Sequence, residues 1–282
     1  MKPAAFEYHA PATLDALLAL LARHGEDGKI LAGGQSLVPV MNFRLARPAQ
    51  LFDLNGIAEL DFLREEKGKL RIGALTRHAA FHRPVVKGPT GTLLAEVVRH
   101  IAHYPIRQRG TFAGSVAHAD PASEWCLVTV TLDAEIVARS AAGERVIKGA
   151  EYFLGTFATA LKPNEVITEI RLPVLDSSWR TGFCEFSRRA GDFALAMAAV
   201  ALQIQNGKVA QARVGIGGVE DRPFRCAAAE SALIQGKTLA EAAAVVSHAV
   251  KPMADIHADA PYRKDLVRAM TRRALEQAMR SA

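Results

Sequence analysis

Two short glycine-containing loops are the residues of this sequence best suited to bind an anionic ligand. The first is Ala32-Gly33-Gly34-Gln35-Ser36-Leu37, and the second is Thr111-Phe112-Ala113-Gly114-Ser115. Glycine lets the backbone turn sharply, and successive open N–H groups form a nest for an anion. A tight turn that simply needs glycine explains either loop alone. Two such loops in one chain can hold an extended diphosphate from both sides, which favours a nucleotide cofactor.

The remaining polar residues form no complete catalytic or metal site. His118 and Asp120 lie close together, but aspartate before proline is ordinary turn chemistry, and two ligands are too few for a closed metal site. His100 and His103 have the spacing of one helical face without a third ligand. Neither glycine loop matches the P-loop or the dinucleotide motif, and the sequence contains no G-x-S-x-G nucleophile motif. We therefore expect no catalytic residue in this chain.

Composition bounds the class of protein. The chain has 282 residues, of which 50% are hydrophobic and 23% charged, as in soluble globular proteins. At about 150 residues per domain, the length predicts two domains. Cys126, Cys184 and Cys226 lie far apart, which argues against a disulfide framework, a zinc ribbon or an iron–sulfur cluster held by this chain. Scattered thiols are typical of a cytoplasmic protein.

The basic character of the chain indicates an enzyme surface rather than nucleic-acid binding. The net charge is +6, but aromatic residues make up only 6%. The longest apolar run, Phe193 to Leu202, is about half of the ~20 residues that a membrane span needs. Six late cations at helical spacing predict the solvent face of a terminal helix: Arg263, Lys264, Arg268, Arg272, Arg273 and Arg280.

The elements around the first loop form a small α/β unit. Apolar residues at helical spacing predict a helix that begins after Thr13 and ends near Gly25. A short strand, Lys29 to Ala32, then runs into the first loop, and a second strand covers Leu51 to Leu54. Beyond it we expect a helix over Thr92 to His103, and strands at 70–74, 134–138 and 166–172.

A polar stretch at Asp176 to Ser178 marks a domain boundary. After it, Asn206-Gly207 between two alternating segments predicts a hairpin with a type I′ turn. Thr238 and Glu241 have the spacing of a capping box, and Pro261 fits the first turn of a last helix. The sequence therefore predicts an α+β protein with domains at 1–176 and 177–282.

The two loops and their surroundings resemble the FAD-binding medium subunits of molybdenum hydroxylases, the carbon monoxide dehydrogenase and xanthine dehydrogenase-like family. The resemblance covers nearly the whole chain. Five segments carry it: Ala32-Gly33-Gly34-Gln35-Ser36-Leu37-Val38-Pro39, Phe43-Arg44-Leu45, Thr111 to Pro121, Gly191-Asp192-Phe193-Ala194-Leu195-Ala196 and Gly217-Gly218-Val219-Glu220-Asp221-Arg222-Pro223.

The resemblance implies a vanillyl-alcohol-oxidase/PCMH-type FAD-binding domain of two α/β subdomains, about 1–57 and 58–176, with a C-terminal α+β domain over the flavin. It also implies these cofactor-binding residues: Lys29, Ile30, Leu31, Ala32, Gly33, Gly34, Gln35, Ser36, Leu37, Ile101, Thr111, Phe112, Ala113, Gly114, Ser115, His118, Glu124, Ile167 and Cys184.

The resemblance assigns a role to several of these residues. The backbones of the two loops would hold the pyrophosphate, and residues 29–31 would line the approach. Ile101 matches an apolar position near the cofactor, Glu124 an acidic position that binds its hydroxyls, and Ile167 would pack by the flavin or adenine. Two positions depart from the family pattern: Cys184 stands where some relatives have lysine, and Ala113 stands in a Gly-Gly pair.

The function implied is electron transfer. In such complexes a molybdenum-containing large subunit hydroxylates the substrate, 2Fe-2S clusters of a small subunit relay the electrons, and the FAD subunit passes them to an external acceptor. We expect a dimer of heterotrimers with no nucleic acid and no membrane span. The alternatives are a stand-alone FAD-dependent oxidase or dehydrogenase of the same fold, and a non-enzymatic nucleotide-binding or assembly module.

Overall fold

The protein is described by a computed structural model over residues 1–280, in which the strands form one parallel and three antiparallel sheets. Its N-terminal unit is a parallel sheet with two helices. The strand order is β1-β3-β2, and the elements are β1 (Glu7–His9), α1 (Leu14–His24), β2 (Gly28–Leu31), α2 (Leu37–Asn42) and β3 (Gln50–Asp53).

Helix α1 forms as its sequence pattern predicts. Its buried face consists of Leu14, Leu17, Leu18 and Leu21, and the hydroxyl of Thr13 accepts the Ala16 N–H at 3.2 Å. Since carboxyl ends of parallel strands meet at one edge of a sheet, the loop after β2 lies beside the residues that follow β3. This edge is where the first glycine loop is held.

The second unit is an antiparallel sheet in the order β4-β5-β10-β6-β7, with short helices packed on it. Its strands are β4 (Leu63–Glu66), β5 (Lys69–Gly73), β6 (Glu135–Ser140), β7 (Gly143–Lys148) and β10 (Val166–Pro173), and β8 (Phe153–Gly155) pairs with β9 (Ala158–Thr159). Its helices are α3 (Pro89–Val97), α4 (Tyr104–Arg109), α5 (Phe112–His118), α6 (Glu124–Thr131) and α7 (Gly149–Tyr152).

The helix expected over 92–103 was wrong in its extent. Helix α3 begins earlier, because Gly88 has a φ of 82° and Pro89 fits the first helical position. It also ends earlier, at Val97, and the chain turns through Ala102 with a φ of 43° before α4 begins. The apolar residues keep a helical spacing through the turn that follows α3. The spacing alone therefore does not show where the helix ends.

The C-terminal unit is an antiparallel sheet in the order β11-β12-β13-β14, followed by three helices. The elements are β11 (Trp179–Phe186), β12 (Ala196–Gln205), β13 (Lys208–Gly217), β14 (Phe224–Arg225), α8 (Ala227–Ile234), α9 (Leu239–Ala249) and α10 (Ala260–Arg280). Asn206 and Gly207 have φ angles of 52° and 74°, which confirms the type I′ turn, and Thr238 and Glu241 form the capping box.

This third sheet lies between two layers of helices. Helix α10 packs so closely on β11 that a Cβ on Gly182 would be 2.1 Å from the Ala274 carbonyl oxygen. On the other face, α6 packs on β13, where a Cβ on Gly215 would be 1.8 Å from the Thr131 hydroxyl. The C-terminal sheet is therefore joined to the unit that contains the second glycine loop.

Arg263 corrects one expectation about the last helix, because it is buried rather than exposed. Its guanidinium donates to the carbonyls of Leu195 and Gly218, both at 2.7 Å, and pairs with Asp255 at 2.6 Å. The three cysteines are free, and none of the helices in residues 1–280 is long and apolar enough to cross a membrane.

Candidate functional site

The first glycine loop presents a row of open backbone N–H groups. Gly34 has a φ of 73°, the left-handed region that glycine adopts without strain. Within residues 1–280, the four N–H groups of positions 33 to 36 donate to no protein acceptor, and the Ser36 side chain makes no capping bond. Successive unpaired amides of this kind are suited to an anion that bears several oxygens.

The second loop packs into the core, and the N–H groups of positions 112, 114 and 115 are paired within the chain. Phe112 and Ala113 are buried, and the Phe112 ring stacks on Trp125 at 4.6 Å. Thr111 caps helix α5, since its hydroxyl accepts the Gly114 N–H at 3.0 Å. Ala113 lies within α5 on a right-handed backbone, so its methyl group is accommodated without strain.

The two loops lie against each other. A Cβ on Gly33 would be 2.4 Å from the carbonyl oxygen of Arg109 and 2.6 Å from the Cα of Gly110, so only glycine allows this approach. A Cβ on Gly114 would be 3.9 Å from the Cβ of Ala32. The fold therefore brings together two segments that are far apart in the sequence, as an extended diphosphate requires.

Two polar side chains connect the loops through hydrogen bonds. Asn55 follows β3 and donates through Nδ2 to the Ala32 carbonyl at 2.9 Å. Arg77 donates to the Asn55 side-chain oxygen and to the Arg109 carbonyl, both at 2.5 Å. This Asn55–Arg77 bridge sets the spacing between the loops.

A buried histidine is hydrogen-bonded to the residue that precedes the second loop. His78 donates its backbone N–H to the Gly110 carbonyl at 2.9 Å, and its Nδ1 accepts from the Trp125 indole at 2.9 Å. Burial, reinforced by Arg107 and Arg77, lowers the pKa of His78 to about 3. The ring is therefore neutral near pH 7 and acts as a hydrogen-bond acceptor in the core.

Two carboxyl groups, one buried and one half-buried, influence each other where the C-terminal unit meets the second unit. Glu124 begins α6, and Glu185 lies on β11. Burial raises the pKa of both groups above the usual range of glutamate, and the charge of Glu124 raises the pKa of Glu185 further. The Glu185 Oε2 atom is buried and has no hydrogen-bond partner among the described residues.

The comparisons with known proteins identify the family. Residues 4–175 match the "FAD binding domain in molybdopterin dehydrogenase", and residues 181–278 match the "CO dehydrogenase flavoprotein C-terminal domain". The chain belongs to the family of FAD-binding medium subunits of molybdenum hydroxylases. FAD is accordingly its cofactor, and the resemblance seen in the sequence is confirmed.

Two relatives of this family match over nearly the whole of both chains. The 6-hydroxypseudooxynicotine dehydrogenase complex subunit alpha of Paenarthrobacter nicotinovorans is 39% identical, covering 100% of this chain and 97% of the relative. The carbon monoxide dehydrogenase medium chain of Hydrogenophaga pseudoflava is 35% identical, covering 99% and 98%.

Solved structures share the fold as well. Carbon monoxide dehydrogenase of Hydrogenophaga pseudoflava, in a form lacking the Mo-pyranopterin moiety, has a TM-score of 0.96 at 35% identity, with both chains covered in full. Quinoline 2-oxidoreductase of Pseudomonas putida 86 has a TM-score of 0.92 at 35% identity, with 99% of each chain covered. The α+β fold class is thus confirmed.

The site of this medium subunit fits FAD on its own chemistry. The open amides of positions 33 to 36 match the oxygens of a diphosphate, and the left-handed backbone of Gly34 sets their turn. The carboxyls of Glu124 and Glu185 can accept from, or when protonated donate to, the hydroxyl groups of such a cofactor.

The other residues predicted for cofactor binding lie in different surroundings. Ile101 and Ile167 are buried in the hydrophobic core that both N-terminal units share, and a register shift in β10 follows Ile167. His118 ends α5 with its ring 4.8 Å from Phe157. Residues 29–31 form part of β2. The Cys184 thiol packs towards the C-terminal core, 3.9 Å from the Gln277 side-chain oxygen.

Three residues of the candidate site were not predicted from the sequence: Asn55, Arg77 and Glu185. Asn55 carries a usable signal, because it follows a strand parallel to the one that precedes the first loop. Arg77 and Glu185 carry none, since their roles depend on contacts between segments distant in the chain.

Proposed function

We propose that this protein is the FAD-carrying electron-transfer subunit of a heterotrimeric molybdenum hydroxylase. It takes electrons from 2Fe-2S clusters of a small partner subunit and passes them to an external acceptor. Substrate hydroxylation occurs in a large subunit that contains the molybdenum cofactor. Two such trimers form the complete enzyme, and its three free thiols suit the cytoplasm.

The observation that carries the proposal is the pairing of the two loops in a chain that matches the family from end to end. The amides of positions 33 to 36 are unpaired within the chain, and the second loop lies against the first where Gly114 approaches Ala32. The site contains neither a nucleophile with an adjacent base nor a group of metal ligands among residues 1–280. Its residues bind and orient a cofactor instead.

FAD, when bound, accepts electrons singly from clusters and releases one or two, and the protein supplies position and electrostatics. The loop backbones would hold the diphosphate, with the bridge of Asn55 and Arg77 keeping them apart at a fixed distance. Glu124 and Glu185 would bind hydroxyl groups. We propose that residues 1–176 form the FAD-binding domain, in subdomains 1–57 and 58–176, and that 177–282 cover the flavin.

The test is reduction of the flavin through the partners. The chain is co-expressed with its large and small subunits, and the purified complex is mixed anaerobically with an oxidisable substrate of the large subunit. We expect the flavin absorbance to bleach in the complex and to remain unchanged in the isolated chain. Reduction in the isolated chain by the same substrate would contradict the proposal and favour a stand-alone oxidase or dehydrogenase.

A further inference from the structure

Two glutamate side chains without a cation lie where the second unit meets the C-terminal unit. Glu124 is buried at the start of α6, and Glu185 lies half-buried on β11. Among residues 1–280 neither carboxyl forms an ion pair, and the buried Glu185 Oε2 atom has no hydrogen-bond partner. A carboxylate withdrawn from water loses the solvation of its charge, so this arrangement favours the protonated forms.

The charges that act on this carboxyl pair are negative. Asp120, which lies in the turn before α6, acts on Glu124, and Glu124 acts on Glu185. Burial, together with these charges, raises the pKa of Glu124 to about 7 and the pKa of Glu185 to about 9. The pair therefore holds at least one proton near pH 7.

The other elements packed around the pair bring no cation to it. On α5, burial lowers the pKa of His118, so its ring is neutral near pH 7. The nearby strands β12 and β13 contribute uncharged residues: Met197, Gly215 and Gly217. The charged groups of α3 and α10 act instead on the Cys184 thiol, on the opposite face of β11 from Glu185: Glu96, Arg273 and Glu276. Within residues 1–280, a proton is thus the one positive charge available to the pair.

The pair lies beside the second glycine loop. Trp125, the residue after Glu124, stacks its ring on Phe112 at 4.6 Å, and the Cys126 thiol is 3.4 Å from the Ser115 carbonyl oxygen. The first turn of α6 is therefore packed against the loop that the proposed function places at the cofactor diphosphate. A bound diphosphate adds negative charge, which acts strongly on carboxyls that are shielded from water.

A bound cofactor would hold the proton on the pair more firmly. The anionic diphosphate and the exclusion of water both disfavour ionised carboxyls, so both raise their pKa. Linkage is reciprocal, because a ligand that raises the pKa of a group binds more tightly to the chain in which that group is protonated. The proton comes from solvent and stays on the carboxyl pair, and no bond of the cofactor changes.

We propose that the Glu124–Glu185 pair couples FAD binding to the uptake of a proton from solvent. The inference rests on the proposed function, which places the diphosphate at the two loops. The affinity for FAD is highest while the pair is protonated, below about pH 7, and it falls as the pH rises through the higher pKa values of the FAD-bound chain. FAD occupancy of this subunit therefore depends on pH through one pair of side chains.

The test is titration of the flavin-free chain with FAD at pH 6 to 9, followed by quenching of flavin fluorescence. Above pH 7 the wild-type affinity should fall by up to about ten-fold per pH unit. Glu185→Gln has a side chain of the same shape that stays neutral, so its affinity should change less with pH and exceed the wild-type affinity at pH 9. Glu144→Gln removes an exposed carboxyl and should follow the wild type.

Calorimetric titration in two buffers of different ionisation enthalpy counts the protons directly. We expect net proton uptake by the wild type at pH 8 and a smaller uptake by Glu185→Gln. Affinity that is independent of pH, release of protons, or equal pH dependence in wild type and Glu185→Gln would overturn the inference. Glu124→Gln gives the same comparison if Glu185→Gln does not fold by circular dichroism. A folded wild-type chain that binds no FAD at any pH would instead contradict the proposed function, and the inference with it.

Discussion

At the scale of single residues, the site depends on positions where a side chain is not tolerated. Gly34 needs its left-handed backbone, and Gly33 needs the absence of a Cβ to approach Arg109. These glycines were identified from the sequence, because residue type and spacing alone indicate an open turn. Their contact with the second loop was not, since it depends on two segments meeting in space.

We predict that Gly34→Val and Gly114→Val each reduce FAD occupancy. At Gly34 a side chain is strained by the φ of 73° and presses on the Leu31 and Val38 side chains, 3.1 and 3.2 Å from the Cβ position. At Gly114 it collides with the Thr111 hydroxyl, 2.6 Å from the Cβ position. FAD content per purified chain is measured by absorbance after heat release. Gly236→Val is the control, because it has a similar φ of 80° and open space around it. Full flavin in both loop variants would mean that the loops are misassigned.

We predict that Glu185→Gln changes how stability depends on pH. Burial raises the pKa of Glu185, so the folded chain binds a proton that the unfolded chain has lost. This stabilisation is complete below the usual glutamate pKa of 4.5 and fades as the pH rises through the higher folded value. Its slope is at most about 1.4 kcal/mol per pH unit.

Urea unfolding of the flavin-free chain between pH 5 and 9 measures this effect. The wild type should lose stability more steeply than Glu185→Gln as the pH rises, and Glu144→Gln, an exposed control, should follow the wild type. Parallel curves for wild type and Glu185→Gln would show that this carboxyl is not held protonated by the fold.

At the scale of elements, the turns and helix caps could be predicted from the sequence, whereas the contacts between distant segments could not. The Asn206-Gly207 turn and the Thr238 capping box are local, so residue type determines them. The end of α3 and the burial of Arg263 depend on tertiary packing. Arg263 has the spacing of an exposed cation, yet it fills a position where two carbonyls need donors.

We predict that Arg263→Met destabilises the chain by about 2–4 kcal/mol, because it leaves the Leu195 and Gly218 carbonyls without their donor. Arg268→Met, on the exposed face of the same helix, should change stability by less than about 0.5 kcal/mol. Urea unfolding of both variants makes the comparison, and equal effects would contradict the structural role given to Arg263.

We predict that Arg77→Met lowers FAD affinity about ten-fold, since hydrogen bonds from a charged group contribute about 1.5–3 kcal/mol. The variant removes the donors to Asn55 and Arg109, so the spacing between the loops is no longer held. Titration of flavin-free chain with FAD, followed by quenching of flavin fluorescence, gives the affinity. Wild-type affinity in Arg77→Met would show that the bridge does not position the loops.

At the scale of the whole molecule, two hydrophobic cores fix the position of the cofactor loops relative to the C-terminal sheet. The first core joins both N-terminal units and includes Phe183 of β11, and the second lies between the C-terminal sheet and α8 to α10. The α+β class followed from the order of elements in the sequence. Packing of β11 to β13 against α3 and α6, which brings Glu185 to Glu124, had no local signal.

The central claim is that this chain alone binds FAD between its two glycine loops. The most direct measurement is the absorbance spectrum of the purified chain, together with the ratio of flavin to protein. We expect a flavin spectrum and one FAD per chain, either as isolated or after reconstitution with free FAD. A colourless chain that is folded by circular dichroism and takes up no FAD on reconstitution would contradict the account.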